Sequence, residues 1–173
     1  MTKWGKYWDW KSIPKSSLKS RVRSINEAKV EGKVGEYGTS KQLVGGTDIP
    51  TERLSIGVTS FKAGDRAPFH FHLHERVYYI ISGRAILRDI EGRTYDCTAG
   101  TAVYLPAGME GAHGWDMKED VQLIVIRPLT GDTASLQFNM DESNPVSDIK
   151  EANWIAATAW VREGEGKITK GIY

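Results

Sequence analysis

An all-β fold, a sandwich or barrel of antiparallel strands, is what this 173-residue sequence predicts, and three observations carry the expectation. Turn signals punctuate the chain at short intervals: Gly45-Gly46, Ala63-Gly64-Asp65, Ser82-Gly83, Glu91-Gly92, Ala99-Gly100, Ala107-Gly108 and Gly131-Asp132. Between them lie short segments rich in Val, Ile, Tyr and Phe, whose branched or flat side chains suit a pleated surface. Helical periodicity is weak through the middle of the chain, which argues against an α/β fold.

The elements follow in order. Residues 1–45 read as an N-terminal arm and first strands packing on a barrel. In the arm, Trp4, Tyr7, Trp8 and Trp10 stand among lysines and serines and dock aromatic side chains onto another surface. Residues 46–138 form the barrel core. LSIGVTSF (54–61) places Leu54, Ile56 and Val58 on one face, VYYIIS (77–82) is apolar on both, and RAILRDI (84–90) leads into a hairpin turn at Glu91-Gly92. TYDCTAG, TAVYLP and VQLIVIRP continue the series. Residues 139–173 form a helical or irregular tail, in which Trp154, Ile155, Thr158 and Val161 share one face of a short helix. The length suits a single domain.

Lys plus Arg of 23 against Asp plus Glu of 22 leaves a net charge of +1, with no block of like charge. That excludes a nucleic-acid groove or a basic membrane face and leaves a small molecule or another protein as partner. The single cysteine, Cys97, rules out an internal disulfide framework and a cysteine-based zinc cluster, fits a reducing compartment, and reads as a small buried strand residue. The opening MTKWGKYWDWKS has no continuous apolar segment, and no apolar run approaches membrane-spanning length, so a cytoplasmic location is expected.

Of the four histidines, His70, His72 and His74 alternate with Phe69, Phe71 and Leu73 in FHFHLH. On a strand the imidazoles project to one side and the apolar residues to the other. Neutral imidazoles two residues apart can meet one divalent first-row metal at about 2.0–2.2 Å when another strand brings a further ligand. His113 is that candidate. Outside the barrel, Phe69, Phe71 and Leu73 would form an apolar patch that needs cover, and a two-fold homodimer with strands or arms exchanged is expected, with burial by the chain's own arm as the alternative.

The segment GDRAPFHFHLHERVYYIISG (64–83) resembles the first motif of the cupin superfamily, through Gly64, His70, His72 and Gly83. GTAVYLPAGMEGAHGWD (100–116) resembles the second, through Gly100, Pro106 and Gly108. The resemblance implies a jelly-roll barrel with His70, His72 and His113 as ligands of one divalent metal per chain, Fe²⁺ favoured and Zn²⁺, Ni²⁺ or Mn²⁺ as alternatives. Three positions depart from the motifs. Arg76 stands where the usual glutamate ligand falls, beside Glu75; Gly111 stands where the usual second-motif histidine falls, two residues before His113; and Met117 replaces the usual asparagine.

Around this site, His74 is a further ligand candidate or a solvent-facing turn residue. Glu75 is a ligand candidate or a surface carboxylate, and Glu110 a ligand, an acid/base group or a surface carboxylate. Arg76 can hold a substrate carboxylate or form an ordinary ion pair. Tyr79, in phase with Val77 and Ile81, and Tyr104, in phase with Ala102 and Pro106, either line the cavity as proton-transfer groups or pack in the core. Trp115 suits a cavity rim that stacks on a planar substrate. Three neutral ligands leave a Lewis-acidic ion with open positions, which points to a small dioxygenase of an enolizable, phenolic or keto-acid molecule. A non-redox lyase or isomerase of a keto acid or sugar acid is the alternative, and a non-catalytic binding module the third.

Overall fold

The computed structural model describes residues 18–28, 30–34, 37–46, 48–129, 137–139 and 159–160. Twelve strands run through them: β1 Val30–Val34, β2 Gly38–Val44, β3 Leu54–Phe61, β4 Arg66–Phe71, β5 Arg76–Ser82, β6 Arg84–Asp89, β7 Thr94–Thr98, β8 Ala102–Leu105, β9 His113–Met117, β10 Val121–Pro128, β11 Gln137–Asn139 and β12 Ala159–Trp160. They make two six-stranded sheets, ordered β1-β2-β3-β10-β5-β8 and β12-β11-β4-β9-β6-β7. From β3 to β10 the chain passes between the sheets at almost every connection, which is the jelly-roll winding, and no strand pair is parallel.

One connection is a single residue. Gly83 joins β5 in the first sheet to β6 in the second, with φ of 83°. A Cβ there would lie 2.1 Å from the Asp120 carbonyl oxygen, so the crossing needs both the left-handed conformation and the missing side chain.

Between the sheets the inward side chains change character along the strands. On β5 they run from Arg76 through Tyr78 to Ile80, and on β9 from His113 through Trp115 to Met117. On β10 they run from Arg127 through Val125 and Leu123 to Val121. The apolar end is closed by Phe61, Ile80, Ala85, Leu87, Cys97, Val103, Val121 and Leu123. Cys97 is 1% exposed there and burial pushes its thiol upward, so it is a packing residue with little thiolate character. The opposite end is polar, with Gln42 Nε2 donating to Ser55 Oγ at 2.5 Å.

On β3, Ser55, Thr59 and Phe61 turn inward, and Leu54, Ile56 and Val58 share the other face, where Leu54 is exposed and Val58 is buried. On the far side of the histidine strand, Phe69, Phe71 and Leu73 differ in exposure. Phe71 is 5% exposed, and Phe69 is half-buried beneath the Arg88 guanidinium, 5.1 Å from its ring centroid. Gly114 makes room for this stack, since a Cβ there would meet Arg88 Nη2 at 2.6 Å. Large apolar groups are exposed instead on the first sheet, at Tyr79, Ile81 and Tyr104.

In the C-terminal region Ala159–Trp160 is strand, not helix. It pairs with β11 through Gln137 and Trp160, the edge of that sheet supplying backbone partners that a helix finds internally. The expected helix positions Trp154, Ile155, Thr158 and Val161, and the arm aromatics Trp4, Tyr7, Trp8 and Trp10, lie outside the described residues. Among the described residues no helix is long and apolar enough to cross a membrane.

Gly83→Ala is expected to destabilise the protein by clearly more than the cost of left-handed strain alone, about 1–2 kcal/mol. Gly92→Ala should cost only that strain, because φ is 79° but a Cβ meets nothing within 4 Å. Urea unfolding of the two variants checks this, and equal losses would contradict the close approach at Gly83.

Candidate metal centre

The backbone brings the histidines together before the side chains do. β4 pairs with β9 so that His70 lies opposite His113, and His72 follows directly after β4 on the same side as His70. The three offer ligand atoms that all lie within 4.8 Å of one another. Ring centroids are 4.9 Å apart for His70 and His72, 4.2 Å for His70 and His113, and 5.7 Å for His72 and His113. All three are buried, at 4%, 6% and 0% exposure in chain order. Two metal–nitrogen bonds of about 2.0–2.2 Å span at most about 4.4 Å, so small ring rotations suffice for a shared ion.

Hydrogen bonds select the nitrogen that faces inward. His70 Nδ1 donates to the Pro68 carbonyl and His113 Nδ1 to the Gly111 carbonyl, each at 2.8 Å. In both rings this leaves Nε2 as the lone-pair nitrogen, the arrangement that metal-binding histidines use to fix tautomer and aim. His113 Nε2 is buried without a hydrogen-bond partner among the described residues, a lone pair suited to a metal. Burial also keeps the rings uncharged: it pushes His70 down to about 4 and His113 well below its ordinary value. Three converging imidazoles, His70 and His113 among them held neutral, fit a divalent transition metal.

The loop before β9 holds this geometry. Its turn, Met109–Gly111, is short and 3₁₀-helical, and the Gly108 N–H donates to the His72 carbonyl at 2.8 Å. At Gly111 a Cβ would lie 1.9 Å from the Pro106 carbonyl oxygen, so no side chain fits there. The position that holds a histidine in the usual motif therefore supplies the carbonyl that orients His113.

The remaining sequence candidates are dispersed. His74 sits half-buried in the bend between β4 and β5, outside the cluster. Glu75 is exposed and accepts a hydrogen bond from the Tyr104 hydroxyl at 2.9 Å, so both belong to the outer surface. Tyr79 is 43% and Tyr104 61% exposed; the phase shared by Val77, Tyr79 and Ile81 faces out, correcting the cavity-lining expectation for both tyrosines. Glu110 is exposed on the 3₁₀ turn. Trp115 is not at a rim: it is 3% exposed within the core, edge-on to Tyr78 at 5.9 Å and to His113 at 6.3 Å.

Arg76 faces inward and is 7% exposed. With it comes Tyr78, 7% exposed and 5.9 Å from the His113 ring, a residue that sequence reasoning passed over in favour of Tyr79. The signal was present in the position of Arg76, because a residue in the usual ligand slot faces inward and so does the residue two further on. Arg127 joins them from β10, donating through Nε to Ser55 Oγ at 3.4 Å.

Replacing His113 or His72 with alanine is expected to remove most of the bound metal, as measured by elemental analysis of purified protein, while replacing His74 should leave occupancy near that of the parent. In metal-free protein the unfolded state protonates His70 and His113 near 6.5 while the folded state does not. Below pH 6.5 the unfolded chain then binds more protons, so stability is complete above that pH and is lost as pH falls towards 4, by up to about 1.4 kcal/mol per pH unit for each ring. Thermal melts of metal-free protein from pH 8 to 4 check this sign, and a rise in stability on acidification would refute it.

Residues 57–127 match the cupin domain family. An uncharacterized protein of Streptomyces coelicolor is 31% identical over 74 residues, which make up 42% of this chain and 68% of the relative. Among solved structures, the polyketide cyclase RemF of Streptomyces resistomycificus shares the fold with a TM-score of 0.60 and 21% identity, over 75% of this chain and 91% of that one. An RmlC-like cupin of Shewanella frigidimarina matches with a TM-score of 0.53 and 20% identity, over 65% of this chain and 93% of that one. With both motifs on adjoining strands of a jelly-roll and their histidines converging inside it, the chain belongs to the cupin superfamily.

Proposed function

We propose that this cupin is a metal-dependent enzyme in which His70, His72 and His113 hold one divalent ion, ferrous iron by preference, and that it works as a small dioxygenase on an enolizable, phenolic or keto-acid molecule. The observation that carries the reading is the buried cluster of three histidines, two of them locked with Nε2 inward, with Glu75 turned away from it. When bound, an ion held by three neutral nitrogens is a strong Lewis acid with positions open to a chelating oxygen donor and, if it is iron, to dioxygen.

The chain's own residues orient and exclude. His70 and His113 stay neutral and fixed, Trp115 and Tyr78 wall the cluster from the apolar core, and the loop through Gly108 closes against His72. Tyr78 is held protonated by burial, which suits it to donate a proton and not to abstract one. The carboxylates Glu75 and Glu110 and the phenols Tyr79 and Tyr104 are exposed. None of these four candidate groups is placed to act as a base inside the barrel, which supports the redox reading over a lyase or isomerase that relies on one of them. The non-redox alternative draws on Tyr78 as an acid and on the shared fold with a polyketide cyclase.

Metal analysis of protein purified without added metal, followed by oxygen uptake over small diketones, phenols and keto acids, tests the proposal. Iron with substrate-dependent oxygen uptake is the expected result. Turnover without oxygen on a redox-inert ion would select the alternative, and protein that binds no metal would overturn both.

A further inference from the structure

The outer face of the first sheet is apolar across four strands. Strand register sets Ile56, Ile126, Val77 and Tyr104 side by side in one row, and Val58, Ile124, Tyr79 and Ala102 in the next. These positions alternate with the inward-facing ones on each strand, so both rows share the outer face. Tyr104 is 61% exposed, Tyr79 43% and the neighbouring Ile81 39%. Towards the start of β10 the face turns polar, with Ser60, Gln122 and Ser82 in a third row. At the margin of β8, Glu75 accepts a hydrogen bond from the Tyr104 hydroxyl, which holds the most exposed ring of the patch in place. An apolar centre with fixed tyrosines inside a polar rim is the composition of a protein interface.

Charge distinguishes the occupant. None of the residues in the three rows is charged. On the second sheet the outer surface is laced with ion pairs, Asp116 with Arg66 and Arg88, and Arg84 with Asp96. A two-fold axis sets a patch against its own copy, so a charged patch meets like charge, whereas this face meets itself without repulsion. The absence of basic side chains from the rows gives an anionic membrane surface nothing to hold. Four strands about 4.8 Å apart, each contributing five or six residues of about 3.3 Å, make a face of roughly 300–400 Å². That is about half of the roughly 800 Å² each partner brings to a standard interface, a size that suits its apolar core, with the polar margins supplying the remainder.

We propose that the outer face of the first sheet is the contact surface of a two-fold homodimer, with Tyr79 and Tyr104 as its anchors. The contact expected from the sequence at the histidine strand is thereby moved to the opposite sheet. The dimer is independent of the metal reading, because the histidines lie on the other sheet and face inward.

Sedimentation equilibrium of the full chain is expected to show a dimer. Tyr79→Lys and Tyr104→Lys, each placing a charge on the patch, should each weaken it at least tenfold and together give a monomer. Thr94→Lys, on the exposed surface of the second sheet, should leave the dimer intact, and metal content per chain should stay at the parental level in all of these variants. A full chain that sediments as a monomer overturns the proposal and assigns the face to another occupant, and a dimer that survives both tyrosine changes overturns it equally. If the double variant fails to fold, as circular dichroism would report, Tyr104→Lys alone carries the same readout. Failure of the metal reading looks different: a dimer that takes up no ion.

Discussion

The site depends on one pairing, that of β4 with β9 in the register that sets His70 opposite His113. Side chains alternate along a strand, so a slip of one residue would turn His113 out of the barrel and bring Gly114 in. The register is held from both directions. On the outer face, Gly114 leaves space for the stack of Arg88 on Phe69, and Asp116 pairs with Arg66 at 3.0 Å and with Arg88 at 3.1 Å. Inside, Trp115 and Met117 fill the core in phase with His113. A single strand thus carries ligand, wall and core plug on one face and an ion-paired surface on the other.

The graded interior makes such a site affordable in stability terms. At one end, fully buried residues such as Ile80 and Leu123 supply hydrophobic stabilisation of about 1.5–3 kcal/mol each. That end holds the barrel together and lets the other end carry groups that gain nothing from burial. Imidazoles kept neutral avoid most of the desolvation cost that a buried cation meets, and their Nδ1 hydrogen bonds return part of the remainder. The same donors that make the rings tolerable inside the protein aim their lone pairs at a common point. Stability and ligand geometry are served by the same contacts.

The departures from the usual motifs follow a consistent physical logic. A glutamate in the slot of Arg76 would bring negative charge to the ion; the arginine brings positive charge to the same wall, with Arg127 across the ladder. At the position of an anionic ligand in the usual motif, this chain places a buried arginine. The two-residue offset of His113 has a similarly local cause, since Gly111 is pressed against the Pro106 carbonyl and only its own carbonyl can serve the site.

By itself the sequence determined the strand-rich class, the turns that interrupt it, the two histidine segments and the inward pairing of His70 with His72, because period-two alternation and turn chemistry are local properties. It did not determine which face of VYYIIS turns inward, since that segment is apolar on both, and so Tyr79 stood where Tyr78 belongs. Nor did it show that Trp115 lies in the core, that Glu75 is bonded to Tyr104 on the outside, or that Arg127 stands across from Arg76. Those relations join residues far apart in the chain, and only the register of β10 and β8 against β5, and of β9 against β4, brings them together. Alternation tells which residues share a face; the pairing of strands decides which face looks inward and what meets it there.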